Sequence, residues 1–181
     1  MVLVRYLRYN LLEDQNSHKD NTVGSRSKTS LAYIAGFLDG DGSLMLQIKK
    51  RKDGLLKRRF MSTICFYQDS RHEEPLHWIR EVLGIGYISR RKDGMSELRI
   101  NGFDQAVRIL EILIPYIRFK KLQAKALLDA SKILASCKIS KLSRKQFEQI
   151  VGHILIIQKE NYITKKKRSL AELKKFLGLT P

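Results

Sequence analysis

The chain has 181 residues, of which 43% are hydrophobic and 29% are charged, a balance typical of one globular domain and not of a disordered chain. Lys and Arg number 35 against 18 Asp and Glu, so the formal net charge is +17. This surplus favours a polyanionic partner, and no apolar run is long enough to span a membrane, so nucleic acid is expected first. Two cysteines exclude a disulfide framework, and we expect an intracellular protein of the cytoplasm or an organelle.

The N-terminal residues differ in character from the rest of the chain. Residues 1–28 are expected to form an extension ahead of a single domain at 29–181. The first twelve are apolar but interrupted by Arg5 and Arg8, which leaves open a weak targeting segment. Residues 13–30 are polar and rich in breakers, so they mark a linker, and Thr29 or Ser30 is expected to cap the helix that follows.

The stretch LAYIAGFLDGDGS, residues 31–43, begins as a helix and ends unusually. The helical spacing of its apolar residues is carried by Leu31, Ile34, Ala35 and Leu38. Asp39 and Asp41 then arrive at the helix C-terminus, where the helix dipole disfavours acids. Two interpretations remain open: the Asp-Gly pairs make a tight turn, or a divalent cation lies between the carboxylates and a phosphate.

Four segments with a period of two follow, and they predict antiparallel strands in two hairpins. Residues 43–51 and 58–67 flank a turn at Asp53-Gly54, and residues 86–91 and 95–101 flank a turn at Asp93-Gly94. One face of these strands is apolar, and the other carries the candidate DNA-binding residues Gln47, Lys49, Arg51, Arg59, Thr63, Tyr87, Arg91 and Arg99. A two-stranded ribbon fits the major groove of DNA, and a merely solvated polar face is the alternative.

Helical patterns separate and follow the two hairpins. Helices are expected near 73–84 and 103–115, and further helices near 119–136, 143–161 and 169–177. The order is therefore α-β-β-α-β-β-α with additional C-terminal helices, an α+β fold in which helices cover one face of a four-stranded antiparallel sheet. The basic run KKKR at 165–168 is either a phosphate contact or a soluble helix junction.

The stretch LAYIAGFLDGDGS resembles the LAGLIDADG motif of homing endonucleases, and the order of elements over residues 30–135 is similar to that family. The resemblance implies the αββαββα LAGLIDADG fold, with a saddle-shaped sheet that straddles DNA and motif helices at a central interface. It also implies that Asp41 binds the catalytic metal, with the Gly40 carbonyl as an additional ligand. Asp39, which comes earlier on the helix, is expected to be structural.

The resemblance further implies two catalytic residues beside the metal. Gln68 fits the polar residue that orders an attacking water, and Lys120 fits the basic residue that stabilises charge on the phosphate. A plain surface role remains the alternative for both. Besides the basic residue that Lys120 matches, family members often carry an arginine at a second position, where this chain has His72. Either His72 or Arg71 is the candidate for this second basic position.

Only one such motif occurs in the chain, so the resemblance implies a homodimer. Ala32, Ala35 and Gly36 are small enough for two helices to approach closely, although a helix buried within one subunit would carry similar residues. We therefore expect an intron-encoded, Mg²⁺-dependent endonuclease that cuts double-stranded DNA across the minor groove of a long pseudo-palindromic site. Mn²⁺ is expected to substitute for Mg²⁺, and Ca²⁺ to bind without supporting cleavage. The alternatives are an intron maturase that binds structured RNA and a DNA-binding regulator that does not cut.

Overall fold

A computed structural model of the protein describes residues 27–50, 52, 58–161 and 167–178. Nearly all of the predicted N-terminal extension therefore lies outside the described residues, as do Arg51 and the predicted turn at Asp53-Gly54. The described residues include the motif helix, the strands of both hairpins and the C-terminal helices. These elements are sufficient to test the predicted architecture.

The helices and strands of the described residues follow the predicted αββαββα order, and further helices succeed them. The first unit consists of α1 (Lys28–Asp41), β1 (Gly42–Lys50), β2 (Arg58–Asp69) and α2 (Glu74–Leu83). The second consists of β3 (Tyr87–Arg90), β4 (Met95–Asn101) and α3 (Phe103–Leu113). The C-terminal helices are α4 (Lys121–Ser136), α5 (Arg144–Glu160) and α6 (Leu170–Leu177), and short 3₁₀ helices occupy Ser70–His72 and Ile139–Lys141. Among all the residues that the structure describes, no helix is both long and apolar enough to cross a membrane.

The four strands form one antiparallel sheet in the order β1-β2-β4-β3. Residues paired directly across antiparallel strands project from the same face, and Leu44 pairs with Ile64, which pairs in turn with Ile100. These three side chains are buried, and helices α1 to α5 pack against the sheet. The predicted α+β fold, with an apolar and a polar face to its sheet, is confirmed.

Two details of the sequence prediction are wrong. Ser27, and not Thr29 or Ser30, caps α1, because its side-chain oxygen accepts the N–H of Ser30 at 3.0 Å and the helix begins directly after it. Strand β2 runs to Asp69 and so contains Gln68, which the sequence pattern places after the strand. The additional length of β2 comes from pairing with β4, a long-range contact that the periodicity of one segment does not reveal.

Candidate active site and nucleic-acid interface

One buried carboxylate fixes the C-terminal end of α1 to the loop before α4. Asp39, which is 9% exposed, accepts the backbone N–H groups of Arg118 at 2.6 Å, Phe119 at 3.2 Å and Lys120 at 2.9 Å. Such charge-assisted hydrogen bonds are about twice as strong as neutral ones. Asp39 is therefore structural, as expected, and it brings the loop that carries Lys120 to the end of the motif helix.

The side chain of Lys120 caps the same helix end. Its Nζ donates to the carbonyl oxygens of Leu38 at 2.9 Å, Asp39 at 2.6 Å and Gly40 at 3.2 Å. Burial lowers the pKa of Lys120, and the nearby carboxylates of Asp39 and Asp41 act against that effect. The ammonium thus lies where the partial negative charge of the helix C-terminus is concentrated, and close to Asp41.

Asp41 is the last residue of α1, and its side chain is exposed. In the part of the chain that the structure describes, no three acidic, histidine or cysteine side chains come together in a group that could hold a metal ion. Mg²⁺ does not need such a group, because it commonly binds one or two carboxylates together with phosphate oxygens. The donors present fit that ion: an exposed carboxylate follows backbone carbonyls that already attract one cation, the ammonium of Lys120. The Gly40 carbonyl accepts one of these bonds and retains a second lone pair.

Gln68 lies at the same end of the sheet as Asp41. Gly42, the first residue of β1, pairs with Phe66, so Gln68 stands two residues beyond the start of β1. Its Oε1 accepts the N–H of Asp69 at 2.8 Å, which restricts the orientation of the side-chain amide. The three predicted catalytic side chains therefore lie at one end of the sheet.

The two candidates for the second basic position, Arg71 and His72, lie in the 3₁₀ helix after β2. Arg71 donates to the Asp69 carboxylate through Nε at 3.0 Å and a terminal nitrogen at 2.8 Å, and these bonds hold the pKa of Asp69 well below its usual range. His72 is exposed, as is Arg71. Both side chains are accessible at the end of the sheet that carries Gln68, so each stays a prediction for that position.

Cross-strand pairs place most of the predicted contact residues on the polar face of the sheet, namely Gln47, Lys49, Arg59, Tyr87 and Arg99. Lys49 and Arg59 stand directly opposite each other with exposed side chains, so two like charges are held together. Arg91 follows β3 and binds Asp93 at 2.7 Å. An anionic surface laid on this face would relieve the repulsion between the paired cations.

Thr63 is fully buried, so the prediction that its side chain contacts DNA is wrong. Its hydroxyl donates to Oδ1 of Asn101 at 2.7 Å, and Nδ2 of Asn101 donates to the Tyr87 hydroxyl at 3.2 Å. Thr63 therefore orients Asn101, a partly exposed residue of the polar face that the sequence analysis missed. The sequence could have indicated this residue, because Asn101 lies two positions after Arg99 in β4 and therefore on the same face of the sheet. Arg99 is itself held by the buried Glu97 carboxylate at 2.8 Å.

Ala35 is fully buried, so the prediction that it lies at a dimer interface is wrong. The rotation of the helix turns Ala35 toward the core of its own subunit, together with Ile34. Ala32, Gly36 and Gly40 form instead an exposed stripe of small residues at helical spacing. A Cβ at either glycine would meet no atom of the described residues within 4 Å, apart from its chain neighbours and the backbone of its own helix. The outer face of α1 is thus open to a second helix.

The C-terminal part of the chain adds basic residues beside β1. A cavity of about 780 Å³ is lined by Gln47 and Lys49 of β1 and by Lys167 and Arg168, which precede α6. The backbone N–H of Arg168 donates to Oε1 of Gln158 at 2.7 Å, which holds this end of the KKKR run against α5. The first two residues of that run lie outside the described residues. Proximity to the polar face of the sheet favours the phosphate-contact interpretation of the run.

The comparisons with known proteins agree with this arrangement. Residues 34–137, more than half of the chain, match the family model described as LAGLIDADG endonuclease. The DNA endonuclease I-CvuI of Chlorella vulgaris is 37% identical over 107 residues, which cover 59% of this chain and 66% of that protein. The DNA endonuclease I-CreI of Chlamydomonas reinhardtii is 30% identical over 114 residues, which cover 63% of this chain and 69% of that protein. These alignments span about two thirds of each relative.

Solved structures share the fold over a larger part of the chain. I-CvuI in complex with its target DNA has a TM-score of 0.65 at 32% identity, with 83% of this chain and 95% of that chain covered. An archaeal intron-encoded homing endonuclease in complex with DNA has a TM-score of 0.71 at 21% identity, with 83% and 96% covered, and supports the fold alone.

Fold, site and relatives together define the class of the protein, a DNA homing endonuclease, as the sequence analysis expected. More narrowly, the chain belongs to the LAGLIDADG endonuclease family. The named relatives support neither the RNA maturase nor the regulator that does not cut.

Proposed function

We propose that this chain is a site-specific endonuclease that hydrolyses both strands of DNA across the minor groove, as a homodimer and with Mg²⁺. The observation that carries the proposal is the joint placement of Asp41 and Lys120 at the end of α1, beside a sheet with a basic face. I-CvuI is in complex with its target in a solved structure. A homodimer has two-fold symmetry, so its target is expected to be long and pseudo-palindromic.

The polar face of the sheet supplies the DNA contacts in this proposal. Lys49 and Arg59 are exposed and serve best as phosphate contacts, because their charge is not tied to an acid within the described residues. Arg99 and Asn101 are each held by a neighbour, so they lose little freedom when they read a base edge. An arginine suits guanine and an asparagine suits adenine in the major groove. Arg51 stays a predicted base contact outside the described residues.

Asp41 would hold the metal ion, with the Gly40 carbonyl beside it. A bound Mg²⁺ supplies Lewis-acid activation of water and stabilisation of the charge that develops on the phosphate. Because the described part of one chain offers no cluster of acids here, DNA phosphates and the second copy would complete the donor set. Solved structures of I-CvuI were obtained with Mg and with Ca. In this chain we expect Mn²⁺ to replace Mg²⁺, and Ca²⁺ to bind without cleavage.

Gln68 and Lys120 act on the reacting groups. The Gln68 amide, restricted by its bond to Asp69, orients the attacking water in line with the scissile bond. The Lys120 ammonium stabilises the negative charge of the phosphate, which requires it to exchange one of its three carbonyl partners. The bond to Gly40 is the longest, at 3.2 Å, so its exchange costs least and leaves that carbonyl available as a ligand. Arg71 or His72 occupies the second basic position.

The homodimer would form by packing α1 against its copy through the stripe of Ala32, Gly36 and Gly40. Two exposed aromatic residues support an additional covering surface: Tyr33 on α1 is 55% exposed, and Phe119, which bonds to Asp39 at the end of α1, is 87% exposed. Exposed apolar patches of this kind commonly mark an interface. Because Asp41 directly follows the stripe, the dimer would place one metal-binding acid from each copy near its axis, one for each DNA strand.

The proposal is tested with DNA of the source genome from which the intron has been deleted, in Mg²⁺ and in Ca²⁺. We expect discrete double-strand ends from the wild type in Mg²⁺ alone, while Asp41→Asn binds the same DNA without cutting it. Asp129→Asn removes an exposed carboxylate from α4 and should cut like the wild type. Specific binding without cutting by the wild type would contradict the catalytic part of the proposal. An absence of specific DNA binding would contradict all of it and direct attention to structured RNA.

A further inference from the structure

A chain of hydrogen bonds connects the segment after β2 to the β3–β4 hairpin. The hydroxyls of Ser70 and Ser96 lie 2.9 Å apart, and Ser96 donates to the Glu73 carboxylate at 2.5 Å. Because the only hydroxyl proton of Ser96 is engaged with Glu73, Ser70 must donate to Ser96. Arg90 approaches the same carboxylate from the other side, with a shortest distance of 2.6 Å. We refer to Ser70, Ser96, Glu73 and Arg90 as the Glu73 network.

The Glu73 network is well anchored. Ser96 is fully buried, and the Glu73 side chain is 13% exposed. The hydrogen bonds from Arg90 and from Ser96 lower the pKa of Glu73 to about 2, so the carboxylate is ionised at neutral pH. The backbone N–H of Ser70 also donates to the Gly94 carbonyl at 2.9 Å, in the turn between β3 and β4. The segment after β2 and the hairpin are thereby joined through main chain and side chain.

Glu73 is placed unusually for the residue that precedes a helix. It is the N-cap of α2, yet its carboxylate makes no capping bond to that helix. A carboxylate there would normally stabilise its own helix through the free N–H groups and the dipole. Glu73 instead directs its charge to the hairpin, where its carboxylate accepts bonds from Arg90 and Ser96.

The network lies on the opposite face of the sheet from the DNA contacts. Arg90 pairs with Ser96, whereas Tyr87 pairs with Arg99 on the polar face. Ser96 is buried on the side that the helices cover. Glu73 therefore does not meet DNA laid on the polar face, and its removal should leave DNA affinity intact.

We propose that Glu73 is a positioning residue that couples the seating of the β3–β4 hairpin on DNA to the placement of Arg71 and His72 at the scissile phosphate. The inference rests on the proposed function. The 3₁₀ helix that carries both basic residues is three residues long, and it is held at one end by the Asp69 cap and at the other by the Glu73 network. Hairpin contacts that order β3 and β4 on DNA thus order this segment as well.

The test separates cleavage from binding. Glu73→Gln keeps the shape of the side chain and removes its charge, and Ser96→Ala removes the bridging hydroxyl. Glu81→Gln removes an exposed carboxylate from the same helix and is the matched control. The measurements are the single-turnover rate after Mg²⁺ is added to pre-bound DNA, the affinity for that DNA in Ca²⁺, and the melting temperature.

We expect Glu73→Gln and Ser96→Ala each to cut about 10- to 100-fold more slowly than the wild type, because small displacements of reacting groups have effects of this size. The double variant should be no slower than the slower single variant, since both interrupt one network. The affinity in Ca²⁺ should not change in either variant, whereas the melting temperature should fall, because each variant loses bonds of the Glu73 network. Glu81→Gln should match the wild type in rate, affinity and melting temperature. A purely structural role would instead lower the affinity together with the rate, and that result would overturn the inference.

The outcomes distinguish the inference from the proposed function. A wild type that does not cut contradicts the proposed function. A wild type that cuts, with Glu73→Gln cutting equally fast, contradicts only the positioning role. If Glu73→Gln does not fold, Ser70→Ala takes its place, because it removes the outer hydroxyl and leaves the ion pair with Arg90. Cleavage by Ser70→Ala at the wild-type rate would then overturn the inference.

Discussion

The carboxylate of Asp39 accepts the backbone N–H of Lys120 at 2.9 Å, and the Lys120 ammonium donates back to the Asp39 carbonyl at 2.6 Å. This reciprocal pair joins two residues that are 81 positions apart in the chain. It explains why two aspartates occur at a helix end that disfavours acids. Asp39 holds the loop and its lysine in place, and Asp41 is left exposed for a ligand.

Asp39→Asn should destabilise the fold, whereas Asp41→Asn should not. Asp39 is buried and its carboxylate accepts three backbone N–H groups, so we expect its replacement to lower the free energy of unfolding by about 1–3 kcal/mol. Asp41→Asn removes an exposed acid from the negative end of α1 and should leave stability unchanged or raise it by up to ~1 kcal/mol. Urea denaturation of the two variants measures the difference. Equal stability of the two would contradict the division of roles.

The sequence predicted the parts of the site that depend on local pattern. A period of two placed Lys49, Arg59 and Arg99 on one face, and the pairing of the strands confirms that face. It did not predict the burial of Thr63 and it left the burial of Ala35 open, because burial depends on which neighbours arrive from distant segments. The period of two in a strand and the helical spacing in a helix predict which way a side chain points. They do not predict which other residues cover it.

Long-range polar contacts were beyond the sequence pattern for a similar reason. Two α-helices, one 3₁₀ helix and four strands separate Asp39 in sequence from the loop before α4 to which it bonds. No periodic pattern in the sequence indicates these bonds. The Glu73 network likewise joins residues from β4, from the end of β3 and from the turn into α2. Each partner taken alone reads as an ordinary surface residue. Their roles became visible only when the sheet brought them together.

Arg59→Ala should weaken DNA binding and reduce its dependence on salt. One phosphate contact fewer lowers the slope of log affinity against log salt by about 0.9. The free protein should be unchanged or more stable by about 0.5 kcal/mol, because Arg59 stands opposite Lys49 and like charges repel across a strand pair. Titrations in Ca²⁺ at several salt concentrations measure the slope. Arg108→Ala removes an exposed cation from α3 and serves as the control, and a wild-type slope in Arg59→Ala would remove this residue from the interface.

Gly36→Leu should prevent dimerisation without unfolding the subunit. A Cβ at this position meets no atom of the other described residues within 4 Å outside its own helix, and leucine is a better helix former than glycine by roughly 0.5–1 kcal/mol. In a dimer packed through the small-residue stripe, the larger side chain would overpack the interface and weaken it by roughly 10- to 100-fold. Sedimentation velocity with and without DNA reports the assembly. Gly152→Leu, at an equally open position on α5, is the control, and a Gly36→Leu protein that dimerises like the wild type would exclude this face of α1 as the interface.

The contribution of Glu73 to stability should depend on pH in a defined window. Its pKa is about 2 in the folded chain against an ordinary 4.5, and Arg90, Ser96 and His77 (at 3.7 Å) face its carboxylate. A carboxyl group whose pKa is lowered by folding stabilises the fold above its unfolded pKa and loses that effect as the pH falls through the folded value. The stability difference between wild type and Glu73→Gln should therefore be full near neutral pH, shrink below pH 4.5 and vanish near pH 2.

Unfolding of both proteins in urea across this pH range measures the difference. The lowered pKa of Asp69 affects wild type and variant alike, so it cancels in the comparison. Glu81→Gln, which removes an exposed carboxylate from the same helix, is the matched control. If the deficit of Glu73→Gln stayed constant down to pH 2, the network would depend on the shape of the side chain and not on its charge, and the ion pair with Arg90 would have no part in holding the hairpin.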